Sequence, residues 1–238
     1  MTGALPPLAL RAAHPVGWSA EATLAVPASF SEMAGKGRAR DAVKARWLRP
    51  ADLDRATVGP PQRLWIPLWR VEGAVDGFHV GLRASGSPGR ARVLPTGGFR
   101  HEDAVVLVPA RQGFPIDVSE RAVVARGDLR PQLEVAPPDD EIVEADVSRE
   151  AAEDEARLRL RRRGEPQQAL YASVDVKIRA VDPVLYPVWV VRYLYAGEAS
   201  EGTESEHYAA VSAHTGATVG ERHPSVLGSI KSRLRALF

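Results

Sequence analysis

Apolar and polar residues alternate strictly from 170 to 180, with Leu170, Ala172, Val174, Val176, Ile178 and Ala180 on one side and Tyr171, Ser173, Asp175, Lys177 and Arg179 on the other. A period of two predicts a half-buried strand. Residues 184–195 are apolar on both sides, which predicts a strand lying centrally in its sheet. Residues 64–82 read as two strands meeting at Asp76-Gly77, a pair suited to the positive φ values of a tight hairpin turn. The Gly-, Ser-, Pro- and Arg-containing stretch from Ala84 to Gly98 then reads as a mobile loop. Short apolar runs at Ala104–Pro109 and Arg121–Ala125 suit buried strands, the second equally a helix, and His207–Ala213 reads as the last long strand before a turn at Thr215-Gly216.

Two helices stand out. The Ser29-Phe30-Ser31-Glu32 spacing is a helix-start signal and places the first helix at about 31–47, although Gly35 and Gly37 weaken it by about 1 kcal/mol each. The second, about 147–163, is capped by Asp146 or Ser148. Its acids (Glu150, Glu153, Asp154, Glu155) crowd the start and its bases (Arg157, Arg159, Arg161, Arg162, Arg163) the end, each opposing the helix dipole.

These elements predict an α+β fold of two related modules, each a helix followed by an antiparallel sheet. The expected division is an N-terminal extension 1–28, a first module 29–136, a linker 137–146, a second module 147–224 and a C-terminal amphipathic helix 225–238. The relation between modules rests on a repeat. Leu64-Trp65-Ile66-Pro67-Leu68-Trp69-Arg70-Val71 and Val184-Leu185-Tyr186-Pro187-Val188-Trp189-Val190-Val191 share aromatic-x-Pro-x-Trp-x-Val. A proline inside a strand lacks a ladder donor, so Pro67 and Pro187 are expected at an edge, a strand start or a bulge, with Trp69 and Trp189 as core residues.

The segments Ala45–Leu53, Ile66–Trp69, Asp103–Ala110, Tyr186–Trp189 and Ala213–Arg222 together resemble the body of uncharacterised bacterial proteins often mislabelled as primosomal helicase-like or zinc-ribbon proteins. The resemblance covers roughly residues 24–225 and implies a fold more than an activity. Such proteins usually carry a Cys-rich zinc ribbon, and some continue into a membrane helix; this chain has no cysteine and a short basic tail. It also lacks the Gly-x-x-x-x-Gly-Lys-Ser/Thr loop that a helicase label requires. The last hairpin is similar to small PepSY-type α+β domains, which implies binding or inhibition of a partner.

Composition narrows the chemistry further. Without cysteine there is no disulfide, thiolate metal site or cysteine nucleophile. With 31 basic and 30 acidic residues, no global field favours nucleic acid or an anionic surface. The Arg83, Arg90, Arg92 and Arg100 group has no interleaved aromatics to stack bases, so nucleic acid is not expected as a partner. The six histidines include no pair at zinc-enzyme spacing; His101-Glu102-Asp103 is the tightest cluster of possible ligands, and a polar loop explains it. No Gly-x-Ser-x-Gly elbow is present. No catalytic residue, metal site or cofactor is therefore expected.

The tail is the most informative exposed segment. Val226, Leu227, Ile230, Leu234, Leu237 and Phe238 recur at helical spacing with Lys231, Arg233 and Arg235 between them, as in a basic amphipathic helix for a membrane surface or a partner's groove. Tyr193, Tyr195 and Tyr208 are expected as exposed contact residues on the last hairpin. The resulting expectation is a non-catalytic binding or adaptor protein, cytoplasmic and peripheral at the inner membrane, attaching to a protein partner or an anionic membrane surface through its C-terminal helix. The alternative is a small-molecule or peptide-binding module with a cleft where Trp69 and Trp189 face each other, and a hydrolase ranks third.

Overall fold

The computed structural model describes residues 11–12, 18–19, 21–44, 56–85, 92–114, 116, 118–119, 124–135, 141–165, 169–196 and 205–222. Among the described residues ten strands and three α-helices occur in the order β1 (Arg11–Ala12), β2 (Leu24–Ala25), α1 (Glu32–Lys44), β3 (Thr57–Val58), β4 (Gln62–Ser85), β5 (Arg92–Pro109), β6 (Arg130–Pro131), α2 (Gln132–Val135), β7 (Glu141–Val143), α3 (Arg149–Gly164), β8 (Ala169–Tyr195), β9 (Ser205–Ser212) and β10 (Thr218–Arg222). The expected pair of helix-then-antiparallel-sheet modules is overturned. The chain is mostly sheet, the pairing is mixed, and two compact units are assembled from interleaved segments: Met1–Pro67, Arg111–Asp146 and Val184–Phe238 form one, Leu68–Ala110 and Val147–Pro183 the other.

In the first unit β8 is central, as its two apolar faces predicted. It pairs antiparallel with β9 from Val188↔Ser212 to Tyr195↔Ser205, parallel with β2 at Val184 and Leu185, and antiparallel with β3 at Leu194 and Tyr193. Pro187 sits one residue before that β9 ladder begins, so its missing N–H costs no bond on that side. The last turn closes through Gly216, at φ 75°, whose N–H reaches the Ser212 carbonyl. Residues 141–143, expected as linker, instead form β7, parallel to β4 at Leu64 and Trp65, because Ile142 and Val143 are buried.

α1 lies on one face of this sheet, and Ala39 and Val43 join a core with Trp189, Val191, Tyr193, Tyr195, Ala209 and Val211. Ser31, two residues later than expected, caps it by accepting from Ala34 N–H at 3.3 Å, while Ser29 meets His214 Nδ1. Gly35 is explained by packing: a Cβ there would collide with the Trp189 indole.

The second unit is a three-stranded antiparallel sheet, β5–β4–β8, under α3. The β4–β5 register runs unbroken from Leu68↔Pro109 to Ser85↔Arg92. Asp76-Gly77 is therefore no turn; Asp76 lies mid-strand opposite His101, and part of the expected loop is β5. Pro67 precedes the first residue of this ladder, as Pro187 does in the other unit. Likewise the two strands expected over 170–180 and 184–195 are one strand, β8.

Ser148 caps α3, accepting from Ala151 N–H at 3.2 Å. Ala152, Ala156, Leu160 and Gly164, every fourth residue, form its buried stripe. Leu160 is fully buried, worth about 1.5–3 kcal/mol, in a core with Val75 and Ala104. Space for it comes from Gly73, where a Cβ would lie 2.8 Å from Leu160 Cδ1.

The two glycines of α1 are expected to respond oppositely to alanine. Helix propensity favours alanine by about 1 kcal/mol at both. Gly37 has open space, so Gly37→Ala is expected to stabilise by about 0.5–1 kcal/mol. Gly35→Ala must displace the Trp189 ring and is expected to destabilise by about 1–2 kcal/mol after that gain. Urea unfolding midpoints of the two variants check both signs.

Candidate functional site: the open face of the second sheet

α3 packs on one face of the β5–β4–β8 sheet; on the other face Arg70, Ala74 and Leu107 are buried at the inner end, and the residues from Asp76 outward are partly or fully exposed. Residues opposite each other in an antiparallel pair share a face. The register therefore places Arg70, Glu72, Asp76, Phe78, Val80 and Leu82 of β4 with Phe99, His101, Asp103 and Val105 of β5 on the open side. Lys177 and Arg179 of β8 reach the same side through ion pairs to Asp76 and Asp103.

The middle of this face is a charge lattice. His101 Nδ1 lies 2.6 Å from Asp76 Oδ1; the carboxylate can only accept, so Nδ1 carries the hydrogen. His101 Nε2 is 3.6 Å from Asp103 Oδ1, which also receives Arg179 at 2.9 Å, and Lys177 Nζ is 3.9 Å from Asp76 Oδ2. The His101 hydrogen bond holds the Asp76 carboxyl below the usual aspartate range, helped by the His101, Lys177 and Arg179 charges. At the inner end Arg70, 2% exposed, is held by Glu72 at 2.6 Å and Asp182 at 3.5 Å.

The outer end is apolar. Phe99 is 88% exposed and rests tilted on Phe78, with ring centroids 5.0 Å apart. Val80 and Leu82 follow at alternate positions of β4 and are exposed. This ribbon end therefore carries a row of large apolar side chains next to a dense set of opposite charges.

No protein-family model, curated protein or solved structure matches the chain.

The expected contact tyrosines are corrected. Tyr193 and Tyr195 are 0% and 1% exposed because they face α1, where His207 stacks on Tyr193 at 5.3 Å and meets the Tyr195 edge at 6.3 Å. Tyr208, 7% exposed, lies on the opposite face of β9 beside its β8 partner Arg192. Trp69 and Trp189 are each buried within their own unit: Trp69 Nε1 donates to the Val147 carbonyl at 2.9 Å, and Trp189 packs against α1. Ile230, Lys231, Arg233, Leu234, Arg235, Leu237 and Phe238 lie outside the described residues.

His101-Glu102-Asp103 is strand, not loop, so its side chains are divided between faces. Glu102 turns to the helix side, where it pairs with Arg100 and Arg163. Among the described residues no group of His, Asp and Glu is arranged to hold a metal ion. Ser205 Oγ lies 2.7 Å from His207 Nε2, but the pair sits against buried tyrosines and His207 is 5% exposed. No described helix is long and apolar enough to cross a membrane.

Sequence reasoning missed Phe78, Phe99, Val80 and Leu82. The signal was present: Asp76, Phe78, Val80 and Leu82 keep the two-residue period through Gly77. Reading Asp76-Gly77 as a turn broke that period in two.

The carboxyl of Asp76 is expected to titrate below the ordinary value of 3.8, and His101→Ala is expected to move it back up. The sign follows from linkage: a lowered carboxylate stabilises the fold above its unfolded value, and that contribution is lost as pH falls through the lowered one. Carboxyl-carbon NMR titration of both proteins measures it.

Proposed function

We propose that this protein is a non-catalytic binding or adaptor protein that meets a protein partner through the apolar end of the β4–β5 ribbon. The carrying observation is Phe99, 88% exposed and backed by Phe78, with Val80 and Leu82 also exposed on that face. Burying a phenylalanine is worth about 1.5–3 kcal/mol, so an aromatic held open on a rigid strand has that much to gain from a partner. The neighbouring Asp76, His101, Asp103, Lys177 and Arg179 supply a polar rim that orients the partner more than it strengthens binding. The alternative ligand cleft between Trp69 and Trp189 finds less support, since each ring is buried within its own unit.

A second attachment point is supported by the sequence alone: the basic amphipathic pattern of residues 225–238 suits an anionic membrane surface, with the chain itself cytoplasmic.

Phe99→Asp is expected to leave the unfolding midpoint within about 0.5 kcal/mol, because the ring is exposed. It is expected to abolish capture, from cell extract, of a stoichiometric protein that the unaltered chain retains; equal retention by both would discard the ribbon end as the contact. For the tail, co-sedimentation with anionic and neutral vesicles compares the full chain with one ending at Pro224. Salt-sensitive binding lost on truncation is the expected result, and equal sedimentation of the two rejects the tail's role.

A further inference from the structure

A three-stranded sheet has two outer strands, and those of the second unit are not alike. Among the described residues β5 pairs only with β4, and no strand pairs with β8 between Ala169 and Pro183 on the side away from β4. Each edge offers a row of backbone N–H and C=O groups to an incoming strand. β5 breaks its row with Pro95 and the Gly97-Gly98 pair, features that blunt an edge. β8 has no proline or glycine from Ala169 to Asp182 and keeps strict alternation from Leu170 to Ala180.

The β8 edge is also flanked by an open groove. Asp154, Arg157, Leu158 and Arg161, one stripe of α3, face Val174, Asp175 and Val176 across about 430 Å³. Leu158 is 52% exposed on this stripe, although the neighbouring stripe through Ala156 and Leu160 is buried. The arginines of the groove are neutralised within the helix, Arg157 by Glu153 and Asp154 and Arg161 by Glu165, so they do not repel an approaching chain.

The strand carries its own complement. A lysine on an edge ordinarily repels a second strand. If two β8 strands pair antiparallel about Val176, however, Val176 lies opposite itself, Asp175 opposite Lys177, Lys177 opposite Asp175, and Val174 opposite Ile178. Opposed residues share a face, so the apolar pairs fall on the α3 side and the charge pairs on the open side. Among the described residues Asp175 makes no ion pair, which leaves its carboxylate available for this role. Only a two-fold arrangement of identical strands uses every one of these matches twice.

We propose that a second copy of this chain docks on the free edge of β8, pairing antiparallel about Val176 so that the two β5–β4–β8 sheets continue into one. The exposed Leu158 and the groove beside it are then covered by the partner's helix side. This surface shares Lys177 with the polar rim beside the Phe99 end, but the proposal does not rest on the reading given above.

The test is the mass of the full chain in solution by sedimentation velocity and light scattering, over about 1 to 100 µM. The unaltered chain is expected to be a dimer at the upper end. Asp175→Lys places lysine opposite lysine twice and is expected to weaken the dimer about tenfold, and Lys177→Asp places aspartate opposite aspartate with the same effect. Mixing these two variants restores both opposite-charge pairs, so a heterodimer with the original affinity is expected. Leu158→Glu, on a different element, is an independent variant that is also expected to weaken association, and circular dichroism checks that each variant is folded. A monomeric unaltered chain at every concentration overturns the proposal. So does a dimer indifferent to Asp175→Lys and Leu158→Glu, which would lie elsewhere, or a mixture that fails to recover, which would refute the register.

Discussion

The unbroken antiparallel register of β4 with β5, Leu68 opposite Pro109 through Ser85 opposite Arg92, is the constraint from which the second unit follows. A slip of one residue would exchange the faces of every side chain on the strand. Val75 and Ala104 would leave the Leu160 core, and Asp76 and Phe78 would be driven under α3. The register is held from the helix side, where Leu160 fits over Gly73 and Gly164 fits against Val75 and Val174. Close packing of small against large residues leaves no alternative alignment of comparable density. The surface chemistry of the open face is thus fixed by contacts on the other side of the sheet.

Each unit also buries one arginine with its carboxylates. Arg70 is 2% exposed and meets Glu72 and Asp182; the Arg192 side chain is 5% exposed and meets Glu206 at 2.6 Å, with one buried guanidinium nitrogen unmatched among the described residues. Such pairs add little net stability, because desolvation offsets the attraction. Their effect is on alternatives: a strand shifted by one residue would leave a buried guanidinium without its acid, costing about 3–5 kcal/mol. Glu72 sits two residues along the same strand as Arg70, and Asp182 and Glu206 lie on other strands, so the pairs tie strand to strand.

How much of this was legible in the sequence divides along a physical line. Local signals carried well. The charge sorting of residues 150–163 marked α3, and the double-sided apolar run 184–195 marked a central strand; Pro67 and Pro187, expected at an edge, a strand start or a bulge, lie inside β4 and β8, each one residue before a ladder. Asp76-Gly77 failed because turn propensity is weaker than a ladder of eighteen opposed pairs, which no local window contains. The stretch 92–98 failed for the same reason, its Pro95, Gly97 and Gly98 reading as loop until β4 is placed beside it. Tyr193 and Tyr195 failed because burial on a strand depends on what covers each face, and α1, which covers theirs, lies far from them along the chain; Tyr208 is buried on the other face, beside Arg192. The module scheme failed on topology: β7 and β2 enter by parallel pairing from distant segments, and no periodicity announces a non-local partner.

That division bears on where function resides. The residues that sequence reasoning found most easily, Trp69, Trp189 and their prolines, are buried and explain packing. The residues that stand out for recognition are the ones whose exposure cannot be accounted for by stability. The ion pairs among Asp76, His101, Asp103, Lys177 and Arg179 join groups 44–69% exposed, and such pairs are worth about 0–1 kcal/mol. Phe99 is paired with Phe78, a contact worth about 0.5–1.5 kcal/mol, yet most of its ring stays in water. A surface that holds an aromatic row beside a charge lattice, on a strand whose register is locked from behind, has the rigid apolar anchor and polar rim that binding sites need. Phe99 and Phe78 oppose each other across β5 and β4, and the exposed remainder of the Phe99 ring is the apolar surface that the proposed contact would bury.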